Sequence, residues 1–418
     1  MPSTTYDAIV LGAGGIGSAA LWQLASRGAR VLALDRFAPP HGRGSTHGAT
    51  RIIRQAYFEH PDYVPLLVRA YHLWRALEGE TGQPLMHLCG LMLAGPADGE
   101  AIPGAKLSAG RHGLAIDELA ADECRRRFPG FRIPDAFHAV YEPNAGYLDV
   151  ENCVRAHIER AVAHGAALQT GETVVDWTSD GRRVTVRTDR GQYEAERLVI
   201  AAGAWAGRLI PDLPVALRVV RKPQFWHEVA SCDYDLSAGA PAYFFELPGG
   251  AFYGFPCLDG RFVKVAEHTG GLEVADPLTI DREVHDADVR PVMEFVRQSL
   301  PGVRPEPSRH SVCMYTFSPD GHFLVDHHPV HQNVVIAAGF SGHGFKFTGV
   351  LGEALADLAL DGCTRHPIEF LSLGRFSLND SLQSDDRLES DPRFLKRIEA
   401  ARRSLERGRG VRLEELHD

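Results

Sequence analysis

The chain has 418 residues, 44% of them hydrophobic and 23% charged, with a formal net charge of −10; that is length enough for two buried cores and the composition of an ordinary globular protein. The negative balance excludes broad electrostatic docking on nucleic acid or an anionic membrane, so a small molecule is the expected partner. The cysteines, Cys89, Cys124, Cys153, Cys232, Cys257, Cys313 and Cys363, are odd in number and include no CxxC pair, which argues against a disulfide framework and against a metal site.

In chain order, the opening from Met1 to Asp7 has no basic region, and the apolar run at residues 8–11 is far too short for a signal or membrane-spanning segment. A cytoplasmic protein is therefore expected. Residues 6–11 read as a strand, residues 15–27 as a helix with Ile16, Ala19, Ala20 and Leu24 on its apolar face and Gly28 at its end, and residues 30–34 as a second strand. Gly12, Gly14 and Gly17 lie inside this unit and Asp35 ends it. That is the dinucleotide-binding fingerprint in its required context: glycines for a tight turn and close phosphate approach, a helix N-terminus for the pyrophosphate, and an acid for a ribose hydroxyl.

Residues 86–145 read as irregular and rich in Gly and Pro, and residues 222–309 contain aromatic strand-like runs at 242–247 and 251–255. The pentapeptide Val-Ile-Ala-Ala-Gly occurs at residues 199–203 and again at 335–339, which predicts two parallel buried strands of one sheet. The fold class expected is α/β. A nucleotide domain is assembled from residues 1–85, 146–221 and 310–375, and a second domain from 86–145 and 222–309. Beyond residue 376 the expectation is a polar linker, then a helix over 393–407 with Phe394, Leu395, Ile398, Ala401 and Leu405 on one stripe. That helix would dock on the body or on another subunit. The stretch at 408–416 bears a faint similarity to the tails of some bacterial antitoxins.

Four spaced motifs carry a more specific resemblance. They are Pro39-Pro40-His41 with Gly44-Ser45-Thr46-His47-Gly48-Ala49-Thr50-Arg51-Ile52-Ile53-Arg54, then Phe252-Tyr253-Gly254-Phe255-Pro256, then Cys313-Met314-Tyr315-Thr316, and last Gly339-Phe340-Ser341-Gly342-His343-Gly344-Phe345-Lys346-Phe347. In these motifs and their order the chain resembles the monomeric sarcosine oxidase and N-methyl-L-tryptophan oxidase family of FAD-dependent amine oxidases, from residue 6 to about 376.

The resemblance implies an FAD-binding Rossmann-like domain and a substrate domain built on a mixed, largely antiparallel sheet. It implies FAD held covalently, as an 8α-S-cysteinyl link at Cys313, with Gly12, Gly14, Gly17, Asp35, Ser45, Thr50, Arg51, Val174, Gly203, Trp205, Gly342, Gly344 and Lys346 around the cofactor. Such a link is favoured by cations near the thiol, for which Arg51, His47 and Lys346 are the candidates. Arg54 and Lys346 match the pair that holds the substrate carboxylate, the arginine by two parallel hydrogen bonds and the lysine as a point charge. Lys264 matches the residue that activates oxygen, and Arg51 another on the flavin side. Tyr253 and His268 match residues beside the substrate, with His47 grouped among the catalytic candidates and Phe244 among the substrate contacts. Lys264 and His268, four apart in an expected strand, should share a face.

Two departures from the family bear on the substrate: Ala49 stands where sarcosine oxidase has an acid, and Tyr243-Phe244-Phe245 suggests aromatic pocket walls. The implied reaction takes an N-methyl amino acid and O2 to the amino acid, formaldehyde and hydrogen peroxide, in a monomer whose tail is a candidate for self-association. The alternatives are a flavin oxidase of a cyclic imino acid such as pipecolate or of a biosynthetic tailoring intermediate, an NAD-dependent dehydrogenase, and a non-enzymatic flavoprotein or toxin-neutralising module.

Overall fold

The apolar strand Thr5–Leu11 pairs in parallel with Val31–Asp35 on one side and with Gln192–Ile200 on the other. Gln192–Ile200 in turn pairs in parallel with Val334–Ala338, Val199 opposite Val335 and Ile200 opposite Ile336. The repeated pentapeptide therefore does mark two neighbouring parallel strands. Val31–Asp35 and Val334–Ala338 are buried along their whole length, the pattern of strands covered on both faces. The helices Gly15–Ser26, Val150–Ala163 and Thr348–Asp361 supply one cover. A Cβ added to Gly352 would lie 2.7 Å from the Cβ of Ala19, so the first and last of these helices approach too closely for any side chain between them.

A second sheet runs in the order Leu272–Glu273, Arg218–Val229, Phe262–Glu267, Gly250–Phe255, Ala242–Leu247, Leu91–Pro96, Phe137–Glu142, Asp117–Ala120, with the long strand Val303–Phe317 paired along Arg218–Val229. Every pairing in it is antiparallel except that of Leu91–Pro96 with Ala242–Leu247. Residues 86–145, expected to be irregular, contribute three of these strands and the helices Ala101–His112 and Ala121–Arg127. Their strands are short, and the partner of Leu91–Pro96 lies far along the chain, so no local signal announces the pairing. A small third sheet joins Thr50–Ile53, Gly146–Asp149 and Met86–His87.

The computed structural model describes residues 5–376, of which residues 5–371 belong to one compact unit. The linker and helix expected beyond residue 376 lie outside the described residues. Among the described residues all seven cysteines are free, no helix is long and apolar enough to cross a membrane, and no three metal-ligating side chains cluster.

Candidate active site

A cavity of about 570 Å³ extends from Gly12, Gly14 and Asp35 at one end to Arg54, Tyr253, His268 and Lys346 at the other. At the first end Gly12 sits at φ +89°, where a Cβ would lie 2.7 Å from the carbonyl oxygen of Ala201, and a Cβ on Gly17 would collide with the Gly12 carbonyl. The turn is thus shut to side chains. The N-terminus of Gly15–Ser26, with no acid in its first turn, opens on the cavity, as a pyrophosphate requires. Asp35 accepts the N–H groups of Ala13 and Phe37, both at 2.8 Å, which fixes its carboxylate at the cavity rim. Val174, Gly203 and Trp205 line the same end, and Ser45, Gly342 and Gly344 line the cavity with them. The residues fit a bound FAD.

Thr50–Ile53 is short because carboxylates turn the chain just outside each end of it. Glu151 accepts the N–H of Gly48 at 2.8 Å and that of Ala49 at 3.1 Å, with Ala49 at φ 66°, while Glu142 accepts the N–H groups of Gln55 and Ala56 at 2.6 and 3.0 Å. Neither acid was singled out from sequence, and no local pattern names them. Their work is to project Arg51 and Arg54 into the cavity.

Arg51 donates to the Ser45 carbonyl at 2.8 Å and approaches the buried Sγ of Cys313 at 3.4 Å. Of the cations expected around this thiol, Arg51 is in contact. Lys346 instead turns to the other end of the cavity, and the cross-strand neighbour of Cys313 is Lys222. Behind this wall Lys264, 3% exposed, donates to the carbonyls of Gly48 and Thr50 at 2.6 and 3.0 Å. Burial, then the nearby Arg51, depresses its pKa well below that of an ordinary lysine. His47 is buried beside Ser311, at 3.1 Å, and burial with Arg51 lowers its pKa to about 3. Cys313, His47, Thr50 and Lys264 therefore form a layer behind the cavity lining.

At the far end Arg54, 4% exposed, donates to the Ala56 carbonyl at 3.1 Å and to Glu59 at 2.5 Å, with its guanidinium over the rings of Tyr57 and Phe58. Lys346 donates to the His343 carbonyl at 2.8 Å and lies over the same Tyr57 ring. His343 is in turn 2.5 Å from the Tyr57 hydroxyl. One ring thus braces both cations. Burial alone would raise the pKa of Glu59, but Arg54, His343 and Lys346 hold it at about 2. The buried site therefore already contains one fixed anion, which the sequence reading missed.

Burial, then Arg54, brings the pKa of Lys346 down to about 7 against the opposing pull of Glu59. A carboxylate bound beside it favours the charged form, so above that pH binding should take up a proton. The expected result is a dissociation constant for butanoate, which has no amine to titrate, that rises towards about tenfold per pH unit above neutrality. The rise should vanish in Lys346→Arg. A pH-independent constant in the wild-type protein would remove Lys346 from the clamp.

Beside Arg54 and Lys346 the cavity is lined by Tyr253, His268, Tyr315, Phe244 and Phe58. Burial, then Lys222, lowers the pKa of His268 to about 4, so near neutral pH the wall beside Arg54 and Lys346 carries no charge of its own. His268 follows the strand Phe262–Glu267 and lies on the same side of the sheet as Lys264, but only His268 reaches the cavity. The aromatic run is corrected: only Phe244 faces the cavity, with Phe58 5.2 Å from it ring to ring, while Tyr243 and Phe245 pack into the opposite core with Phe131 and Phe295. Strand alternation imposes that division.

A dinucleotide cradle continuous with a cation-lined, aromatic-walled chamber fits an oxidoreductase that works through a bound dinucleotide cofactor. Residues 7–358 match the family model described as DAO, FAD dependent oxidoreductase, and the chain belongs to that family. It is 42% identical to the monomeric sarcosine oxidase of Bacillus sp. (strain B-0618) over 91% of this chain and 99% of that one. It is 37% identical to the N-methyl-L-tryptophan oxidase of Yersinia pestis (strain Pestoides F) over 89% and 99%. Its fold is similar to that of the open form of NikD, described as an unusual amino acid oxidase essential for nikkomycin biosynthesis, with a TM-score of 0.78 at 29% identity over 88% and 97% of the two chains. The family leaves no place for the NAD-dependent or non-enzymatic alternatives.

Proposed function

We propose that the protein oxidatively demethylates an N-methyl amino acid of the sarcosine or N-methyl-L-tryptophan type, with O2 as acceptor, giving the amino acid, formaldehyde and hydrogen peroxide. The observation that carries this is the convergence of Arg54 and Lys346 at the end of the cofactor cavity, beside the uncharged His268. The two cations hold the carboxylate. Tyr253 and His268 then face the amine, and the buried aromatic wall excludes water from it. The chemistry supplied by FAD is acceptance of two electrons from the carbon beside nitrogen and their delivery to oxygen. The relatives named monomeric sarcosine oxidase support a monomer, and seven free thiols support a reducing, cytoplasmic setting.

A peroxide-coupled screen of N-methyl and cyclic amino acids tests the substrate class. Peroxide should appear with sarcosine and with N-methyl-L-tryptophan, the latter gaining about 0.5 to 1.5 kcal/mol from stacking on Phe58 and Phe244 and so matching or exceeding sarcosine in kcat/KM. A preference for sarcosine by about two orders of magnitude would mean that these rings close the pocket. Activity confined to pipecolate-type substrates would instead favour the cyclic imino acid alternative.

The finer assignment is that FAD is joined to Cys313. It is supported by the buried Sγ between the Arg51 guanidinium and the Ser45 carbonyl, both on the cavity. The denatured band should fluoresce yellow-green on a gel, and Cys313→Ser should abolish that fluorescence. A fluorescent band from the variant would move the link elsewhere.

A further inference from the structure

Lys222 is a buried cation that the reaction as described does not use. It lies on Arg218–Val229, is 3% exposed, and donates to the carbonyls of Thr269 and Gly270 at 2.6 and 3.4 Å. Glu267 acts on it only through space. A lysine buried on two backbone carbonyls, without a carboxylate in contact, is a costly arrangement. Its place in the wall is well defined. The turn it grips follows His268 directly, and a Cβ on Gly271 would lie 2.7 Å from the Arg221 carbonyl and 3.0 Å from Lys222 Cδ, so the chain is wrapped around this side chain. Its ammonium is 5.5 Å from the Tyr315 ring centroid, and Tyr315 lies 5.8 Å from the His268 ring. His268 and Tyr315 both line the cavity. The ionisable groups facing Lys222 are Glu267 and His268 from one strand and its turn, and Cys313 and Tyr315 from Val303–Phe317.

On the reading that this cavity takes an amino acid by its carboxylate, we propose that Lys222 is a positioning residue whose charge, set behind the His268–Tyr315 wall, rejects an ammonium at the amine position and so selects substrate in its unprotonated form. Two features support this. Burial lowers the pKa of Lys222 to about 8, so near neutral pH its positive charge stands behind the amine end of the site, where it penalises a second cation across a low-dielectric wall. The same charge also disfavours protonation of His268, which keeps that wall neutral.

The test uses holoenzyme and two ligands of nearly the same shape, trimethylglycine and 3,3-dimethylbutanoate, which share a carboxylate and differ in the charge at the nitrogen position. Binding is read from the change in flavin absorbance. The wild-type protein should prefer the uncharged ligand, Lys222→Met should reduce that preference by about tenfold or more, and Lys222→Arg should retain it. Because the ratio cancels any loss common to both ligands, a merely structural role leaves it unchanged. Lys222→Gln gives the same comparison should the methionine variant fail to fold. An unchanged ratio in the charge-removing variants overturns the inference while the carboxylate reading stands. A wild-type protein that binds neither ligand overturns both.

Discussion

Lys264→Met is expected to slow the oxygen half-reaction by about a thousandfold while anaerobic reduction by substrate stays within a few fold of wild type. Electron transfer to oxygen develops negative charge, and a fixed cation beside it lowers the barrier. At about 4 Å and an effective dielectric near 20 the attraction is roughly 4 kcal/mol, which sets the size of the effect. Lys264 donates to the carbonyls of Gly48 and Thr50, which favour its charged form. Burial and Arg51 work the other way and lower its pKa. The oxygen step should therefore weaken as pH rises through that lowered value and the ammonium is lost. Stopped-flow mixing of reduced enzyme with oxygen makes the measurement. Reoxidation of the variant at the wild-type rate would reduce Lys264 to a packing residue and pass oxygen activation to Arg51.

Removing Arg54 should cost roughly 2 to 5 kcal/mol of carboxylate binding, a loss in affinity of about thirtyfold to several thousandfold. The structure adds a complication, because Arg54 is also the ion-pair partner of partly buried Glu59. In Arg54→Ala that carboxylate is left without its main counter-charge, and the protein should lose stability near neutral pH as well as affinity. Glu59 has its folded pKa depressed to about 2, so its contribution is present above the ordinary carboxylate value and is lost as pH falls towards the folded one. Arg54→Ala with Glu59→Gln separates the two effects: the double variant should regain stability and remain weak for butanoate. Restored affinity in the double variant would show that Arg54 only neutralises Glu59, and an unchanged Michaelis constant for sarcosine in Arg54→Ala would contradict the clamp.

What the sequence made legible was local or repeated. Gly12, Gly14, Gly17 and Asp35 sit in one strand–helix–strand unit, so their chemistry could be read from spacing alone. The two copies of Val-Ile-Ala-Ala-Gly announced two parallel strands of one sheet, because parallel central strands are apolar on both faces; that they are neighbours came from the fold. Pairings between distant segments gave no such sign. Leu91–Pro96 acquires its partners only in the folded chain, and Glu142 and Glu151 reach back to turns at residues 55–56 and 48–49. Lys222 became visible as a neighbour of Cys313 only through strand register. The division of Tyr243, Phe244 and Phe245 between two faces was in principle readable from the period of a strand, but which face met the cavity was not.

The most direct test of N-demethylation is the ratio of formaldehyde to hydrogen peroxide released from one N-methyl amino acid, measured on the same sample with an N-methyl carbon label. The account predicts equal amounts, with the label recovered in formaldehyde. Peroxide without labelled formaldehyde would place the oxidised carbon elsewhere in the substrate and contradict it.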